Sequence, residues 1–369
     1  MNAVVRAELE HHAGTNQGTR VIRLDNLNVA RAALVELQAA RLHWILGLRF
    51  AIACGVPPMI GLVAGRPLAG AIASVGALFP MLADIGGRIR QRVTLMLATS
   101  LFMTAGLVVG AATADHYWSS LLLIAIGAFT AAWVSDLHRI LELISRFGAV
   151  SLVVGAGAHV HDPLAAVCFF AGGAFACLVV LVGHFIREAK DLQPLPTWSE
   201  GLRLLLSGQS IAGLRFALCY TGVAIIAVLA VPAMGLQRGF WVTITALLVM
   251  RPDGPKSVTL IVQRVIGTVG GIALAALVVL FGHDAWALVA WALLFGFFAP
   301  VGLKRHYALG VGLITAMIMV LLDLALLQQG GDWPLLWVRL VDTGFGCFLA
   351  LCGTVIADPT VLRKQPARV

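Results

Sequence analysis

The sequence predicts an all-α integral membrane protein. About twelve transmembrane helices are expected, arranged as two parallel six-helix repeats with both termini cytoplasmic. Three observations carry this expectation: the composition, a series of long apolar runs, and a one-sided distribution of Lys and Arg. Of 369 residues, 60% are hydrophobic and 12% charged, with a mean hydropathy of +0.92. Soluble domains carry roughly 45–50% apolar and about 25% charged residues. A soluble fold of this composition would lack the polar side chains to cover its surface, and disordered, collagen-like and disulfide-scaffold classes fall with the same numbers.

A crossing helix needs about 20 apolar residues. Residues 1–43 contain Glu8, Glu10, Asp25 and Glu36 and lack an early apolar core, so they read as a cytoplasmic segment rather than a signal peptide. Within it 28–43 is expected to be helical, on the inner membrane surface or in the cytosol. The first repeat, 44–186, holds spans at 44–64, 67–83, 93–113, 117–135, 143–160 and 163–186. A cytoplasmic linker at 187–209 follows. The second repeat, 210–357, holds spans at 210–233, 236–251, 260–282, 284–303, 306–327 and 335–357, and a cytoplasmic tail at 358–369 closes the chain. The loops are too short to embed a soluble domain.

With the N-terminus inside, 21 of the 26 Lys and Arg residues fall on the cytoplasmic side, among them Arg88, Arg90, Arg92, Arg139, Arg146, Arg251, Lys256 and Arg264. Only Arg66 and Arg238 fall outside, and Arg49, Arg215 and Arg339 lie within spans. This asymmetry sets the orientation. The outer loops carry His116, His159, His161 and several Asp residues; their spacing fits no familiar metal motif and suits a solvated loop. Cys54, Cys168, Cys177, Cys219, Cys347 and Cys352 all sit in apolar runs with no CxxC pair, as small core residues do.

The repeat is visible in short matches. Arg49–Cys54 (RFAIAC) returns as Arg215–Tyr220 (RFALCY), and Gln91-Arg92-Val93 returns as Gln263-Arg264-Val265. Six spans per half make the halves parallel, related by an axis along the membrane normal, an architecture common in transporters. Spans 2 and 8 are short and follow Gly or Pro. Matching interrupted segments point to a transport site; a short steep helix is the plainer account. Gly267, Gly270, Gly271, Gly344 and Gly346 are expected to permit close helix packing.

Charges inside the bilayer are costly and mark function or pairing. Arg339 and Asp342 share a face of span 12, and Asp323 lies near the outer end of span 11. They form either an anion site with a titrating carboxylate or a structural pair joining spans 11 and 12. Arg49 and Arg215 either snorkel to the inner headgroups or line an inner vestibule. No Walker A, HExxH or GxSxG sequence occurs, so no enzyme activity and no cofactor is expected. Asp84–Arg90 only partly matches the loop motif of major facilitator transporters, with Ile85 in the basic position and Pro80 in place of the leading Gly.

Phe240–Val249, then Arg251-Pro252-Asp253, then Gln263–Gly271 form an aromatic-rich span, a proline–acid turn and an Arg-x-x-Gly-Thr-x-x-Gly opening. This resembles the fusaric acid resistance and aromatic acid exporter (FUSC) family. Arg339–Gly346, ending at Pro359, resembles that family's last span, so the resemblance covers about 210–359. It implies an inner-membrane efflux protein for aromatic carboxylic acids or similar organic anions. Larger members insert a soluble cytoplasmic domain, and some work with a periplasmic adaptor. A proton-driven exporter is the leading expectation, with an organic-anion channel or a non-transporting envelope assembly factor as alternatives. Arg49, Arg215, Arg251, Lys256 and Arg264 would gather the anion; Trp241, Thr243 and Thr245 would touch it; Arg339 with Asp342 would gate it. Expected partners are the lipid bilayer, the organic anion, a periplasmic adaptor and a second copy of the chain, with no nucleic acid.

Overall fold

The structure is a computed structural model describing residues 44–135, 139–158, 162–186, 213–236, 239–281, 284–326 and 333–362. The segment 1–43 with its expected helix, the linker 187–209, the tail beyond 362, and Arg238, His159 and His161 lie outside the described residues. Among the described residues the chain forms twelve α-helices and one short 3-10 helix, Pro359–Leu362. The first six are α1 Trp44–Val63, α2 Pro67–Leu82, α3 Ile89–Thr113, α4 Tyr117–Trp133, α5 Arg139–Ala158 and α6 Pro163–Ile186. The second six are α7 Gly213–Ala233, α8 Phe240–Val249, α9 Gly254–Phe281, α10 Ala285–Arg305, α11 Tyr307–Leu326 and α12 Trp333–Ala357.

Each predicted span thus coincides with a helix. Nine are long and apolar enough to cross a membrane; α2, α4 and α8 are shorter. At 1.5 Å per residue, the 10 residues of α8 reach only about 15 Å, half a hydrocarbon core. The physical reason lies at its ends. Met250 is extended (φ −69°, ψ 134°), and Arg251 precedes Pro252, which disfavours helical backbone there. Pro255 then sits in the first turn of α9, where a missing N–H costs nothing. So α9 begins at Gly254, ahead of the apolar run expected from 260, and Arg264 lies three turns inside the helix rather than opening the span.

The same helix pairs form in both halves. In the first, α2 packs on α1 and α6, α3 on α5 and α6, and α4 on α5. In the second, α8 packs on α7 and α12, α9 on α11 and α12, and α10 on α11. Between halves, α1 meets α10 as α7 meets α4, and α2 meets α11 as α8 meets α5. Exchanging the halves maps each of these contacts onto another.

Small residues set the closest approaches. A Cβ at Gly172 would lie 1.8 Å from the Ala73 carbonyl oxygen, and one at Gly76 would lie 2.0 Å from that of Phe169, so α2 and α6 touch backbone to backbone. Gly267, Gly271 and Gly346 do the same work for α9–α11 and α8–α12, as expected, whereas Gly270 and Gly344 face open space. In α1, Pro58 leaves the Cys54 carbonyl without its helical partner, and the Ser74 hydroxyl of α2 donates to it at 2.5 Å. Large apolar side chains such as Trp118, Phe185, Leu280 and Trp337 are exposed on the outer faces, where lipid tails are their natural solvent.

Gly172→Val should force α2 and α6 apart at a cost of about 1–3 kcal/mol, while Gly344→Ala should leave stability unchanged. Melting temperatures of the two variants in detergent check the contrast.

Candidate functional site

Three mutually packed helices of the second half, α8, α9 and α12, bring a polar cluster into the apolar interior. On α12, Arg339 is 2% exposed and Asp342 0% exposed, and Thr343 follows. On α9, Arg264 and Thr268 are buried; on α8, Thr243 and Thr245 are. The Arg339 guanidinium carbon lies 3.5 Å from the centroid of the Trp241 ring, a cation–π contact. Among the described residues, its Nε and Nη1, the Nε of Arg264, both Asp342 carboxylate oxygens and the hydroxyls of Thr243, Thr245, Thr268 and Thr343 have no hydrogen-bond partner.

The Arg339–Asp342 pair is therefore close but not closed. Arg264 opposes the Arg339 charge and Asp342 favours it. Asp342 answers Arg339, and Arg264 beside them leaves the cluster with a net positive charge where the dielectric is low. Such a group attracts an anion, and guanidinium donors with hydroxyls suit a carboxylate. Asp323 sits on α11 and is not one of the charges acting most on Arg339.

Beside this cluster lies a chamber of about 280 Å³ at the seam between the halves. Its walls come chiefly from α2 (Leu68, Val75, Phe79), α5 (Val150, Val154), α8 (Phe240, Trp241, Ile244) and α11 (Ile318, Leu321, Leu322). None of the lining residues is charged. The three α8 residues expected to act together are split by the helix period. Trp241 faces the chamber, Thr243 lines a second cavity of about 310 Å³ against α4, α5 and α7, and Thr245 packs beside Gly346.

The remaining predicted residues are placed elsewhere. Arg49 donates to the Gly183 carbonyl of α6 at 2.7 Å, and Arg215 donates to the Ile356 carbonyl of α12 at 2.6 Å. Each ties the first helix of its half to the C-terminal turn of the last, where orphan carbonyls and the helix dipole favour a cation. Arg251 is engaged by Glu142 of α5, so it bridges the two halves instead of standing free at a mouth. Burial first and the neighbouring Arg146 second lower its guanidinium to about 10, against the pull of Glu142. Lys256 is exposed and pairs with Asp253 at 2.6 Å.

Three residues escape the sequence reading: Arg146, Tyr220 and Asp84. Arg146, counted there with the cytoplasmic charges, is 2% exposed. It lies 3.1 Å from Glu142 and donates to the Met250 carbonyl at 3.2 Å. The Tyr220 hydroxyl donates to the Leu247 carbonyl at 2.6 Å, so the end of α8 is held from two sides. The Glu142–Arg146 spacing of one turn, set between Leu143, Ile144 and Phe147, is the signal that could have revealed it. Asp84 clamps Arg92 bidentately, Nε to Oδ1 at 2.7 Å and Nη2 to Oδ2 at 2.5 Å. In the repeat Arg92 corresponds to Arg264, and the position corresponding to Asp84 is Lys256. The acid that would clamp Arg264 is replaced by a cation.

Together these features define a multi-pass helical membrane protein with a charged cluster in its second half. Residues 213–353 match the family model described as Fusaric acid resistance protein-like. Over that stretch the chain is similar to this family, and α8, the Arg251–Asp253 turn and most of α12, which carried the resemblance in the sequence, lie within it. An "Uncharacterized protein ORF2" of Neisseria gonorrhoeae is 32% identical over 124 residues, covering 32% of this chain. The match spans only 28% of that relative's length. No solved structure matches the chain.

Asp84→Asn should strand the Arg92 charge in a buried site and cost about 3–5 kcal/mol. Arg264→Gln, which breaks no such clamp, should cost far less. Denaturation of both variants in the same detergent measures the difference.

Proposed function

We propose that this chain is an inner-membrane exporter of organic carboxylate anions, aromatic ones among them. Its two parallel six-helix repeats are related by an axis along the membrane normal, and both termini are cytoplasmic. The interchange of helix contacts between halves supports the repeat layout, and the bias of Lys and Arg supports the orientation. One observation carries the functional reading: two buried guanidiniums and one buried carboxylate gather beside an uncharged chamber at the seam of the halves. The chamber suits the apolar body of an organic anion, and Arg339 with the unpartnered hydroxyls suits its carboxylate. Ligand pockets have this character, mostly apolar with a few convergent polar groups.

Export requires the halves to move against each other. Ion pairing crosses the seam at Glu142–Arg251, while the matching seam between α2 and α11 is apolar. Movement would open the first and turn about the second. Asp342, whose carboxylate oxygens have no hydrogen bond among the described residues, is the group that would take up a proton as the anion leaves Arg339, coupling export to the proton gradient. A second copy or a periplasmic adaptor would attach outside this core.

In proteoliposomes holding an organic carboxylate such as benzoate, a proton gradient should drive flux through the wild type. Arg339→Gln should abolish it, and Asp342→Asn should uncouple it from pH. Flux that follows voltage alone would mark a channel, and an unchanged, well-folded Asp342→Asn protein would remove the carboxylate from the site.

A further inference from the structure

We infer that Trp241 is a gate separating the central chamber from the Arg339 guanidinium. The inference rests on the reading of Arg339 as an anion site, and it adds how access to that site is controlled. Arg339 does not line the chamber; Trp241 does, and the guanidinium lies against the same indole ring at 3.5 Å. The ring is therefore the partition between an uncharged space and the buried cation. It also occupies the cation: Nε and Nη1 find no hydrogen-bond partner, so the π face is the attraction the guanidinium has at that surface.

The first half shows what this place looks like without the pair. Counting along the repeat, Ala69 stands where Trp241 does, and Cys168 and Ala171 stand where Arg339 and Asp342 do. Ala69, Cys168 and Ala171 line a cavity of about 340 Å³ between α1, α2 and α6. The corresponding space in the second half is where the indole meets the guanidinium. The first half leaves this place as a cavity, and the second half fills it with a cation under an aromatic cover.

The exchange is chemically favourable. A carboxylate binds guanidinium through two charge-assisted hydrogen bonds, a stronger partner than a ring face. An anion able to enter the apolar chamber can take the place of the indole, which swings into space the chamber already provides. A small hydrated anion loses its water on entry and gains nothing from the walls. Trp241 would then select for anions that carry an apolar body.

Site-resolved labelling with phenylglyoxal, which modifies accessible guanidiniums, tests the gate on full-length protein in nanodiscs. Arg339 should be protected in the wild type and in Trp241→Phe. It should label at least tenfold faster in Trp241→Leu and Trp241→Ala. Arg92, clamped by Asp84, should stay unreactive throughout and reports that each variant is folded. Equal labelling of Arg339 in wild type and folded Trp241→Leu would overturn the gate. Benzoate should slow the labelling of Trp241→Leu. Faster labelling with no protection by benzoate would keep the gate and reject the anion site beneath it.

Discussion

The cost of an unpaired charge in a low-dielectric interior organises this molecule. Arginines reach into or beside the bilayer at several depths, and nearly all are answered. Arg49 and Arg215 spend their charge on the carbonyl ends of α6 and α12. Arg92 is closed by Asp84, and Arg146 and Arg251 converge on Glu142. These contacts fix helix ends against one another, which is how a bundle without a hydrophobic driving force between helices acquires a defined geometry. Against that background Arg264 and Arg339 stand apart: among the described residues neither closes an ion pair with a carboxylate.

The repeat explains how that exception arose within a symmetric plan. Both halves carry Gln-Arg-Val in the third helix, at its start in the first half and three turns inside it in the second, and the first half holds an interhelical cavity between α1, α2 and α6. In the first half an aspartate eight residues earlier neutralises the arginine, and small residues line the space. In the second half Lys256 replaces the aspartate, and Trp241, Arg339 and Asp342 occupy the equivalent positions. One half thus serves as the closed, structural copy, and the other leaves Arg264 without the acid clamp. The family match over residues 213–353 falls on that second half.

Much of the fold was legible in the sequence because apolar run length is set by bilayer thickness, a constraint that acts on each helix separately. All twelve helices lie at the predicted runs. The start of α9 was misplaced because helix geometry at Gly254–Pro255 is decided by local backbone, not by hydropathy. The charged cluster was legible in its members: Arg339, Asp342, Trp241 and Arg264 stood out as residues that lipid would not tolerate or as parts of a family pattern. What the sequence could not show was pairing. Arg146 and Arg251 look like ordinary positive-inside charges until α5 and the α8–α9 turn meet across the seam. The bond from Arg49 to Gly183 joins residues 134 positions apart.

The brevity of α8 links the fold to the site. A helix of normal length would carry Trp241, Thr243 and Thr245 through the membrane with their backbone satisfied by their own turns. This one stops at Val249, leaving carbonyls that Arg146 and Tyr220 answer from α5 and α7. The bond from Arg146 crosses from one half to the other. Any shift between the halves must therefore move α8 or release its end, and α8 is the helix that carries the indole over Arg339. A helix of ordinary length, capped within itself, would have no reason to respond to the seam. The short helix makes the position of Trp241 depend on how the two halves sit, so access to the cation and movement of the halves are mechanically the same event.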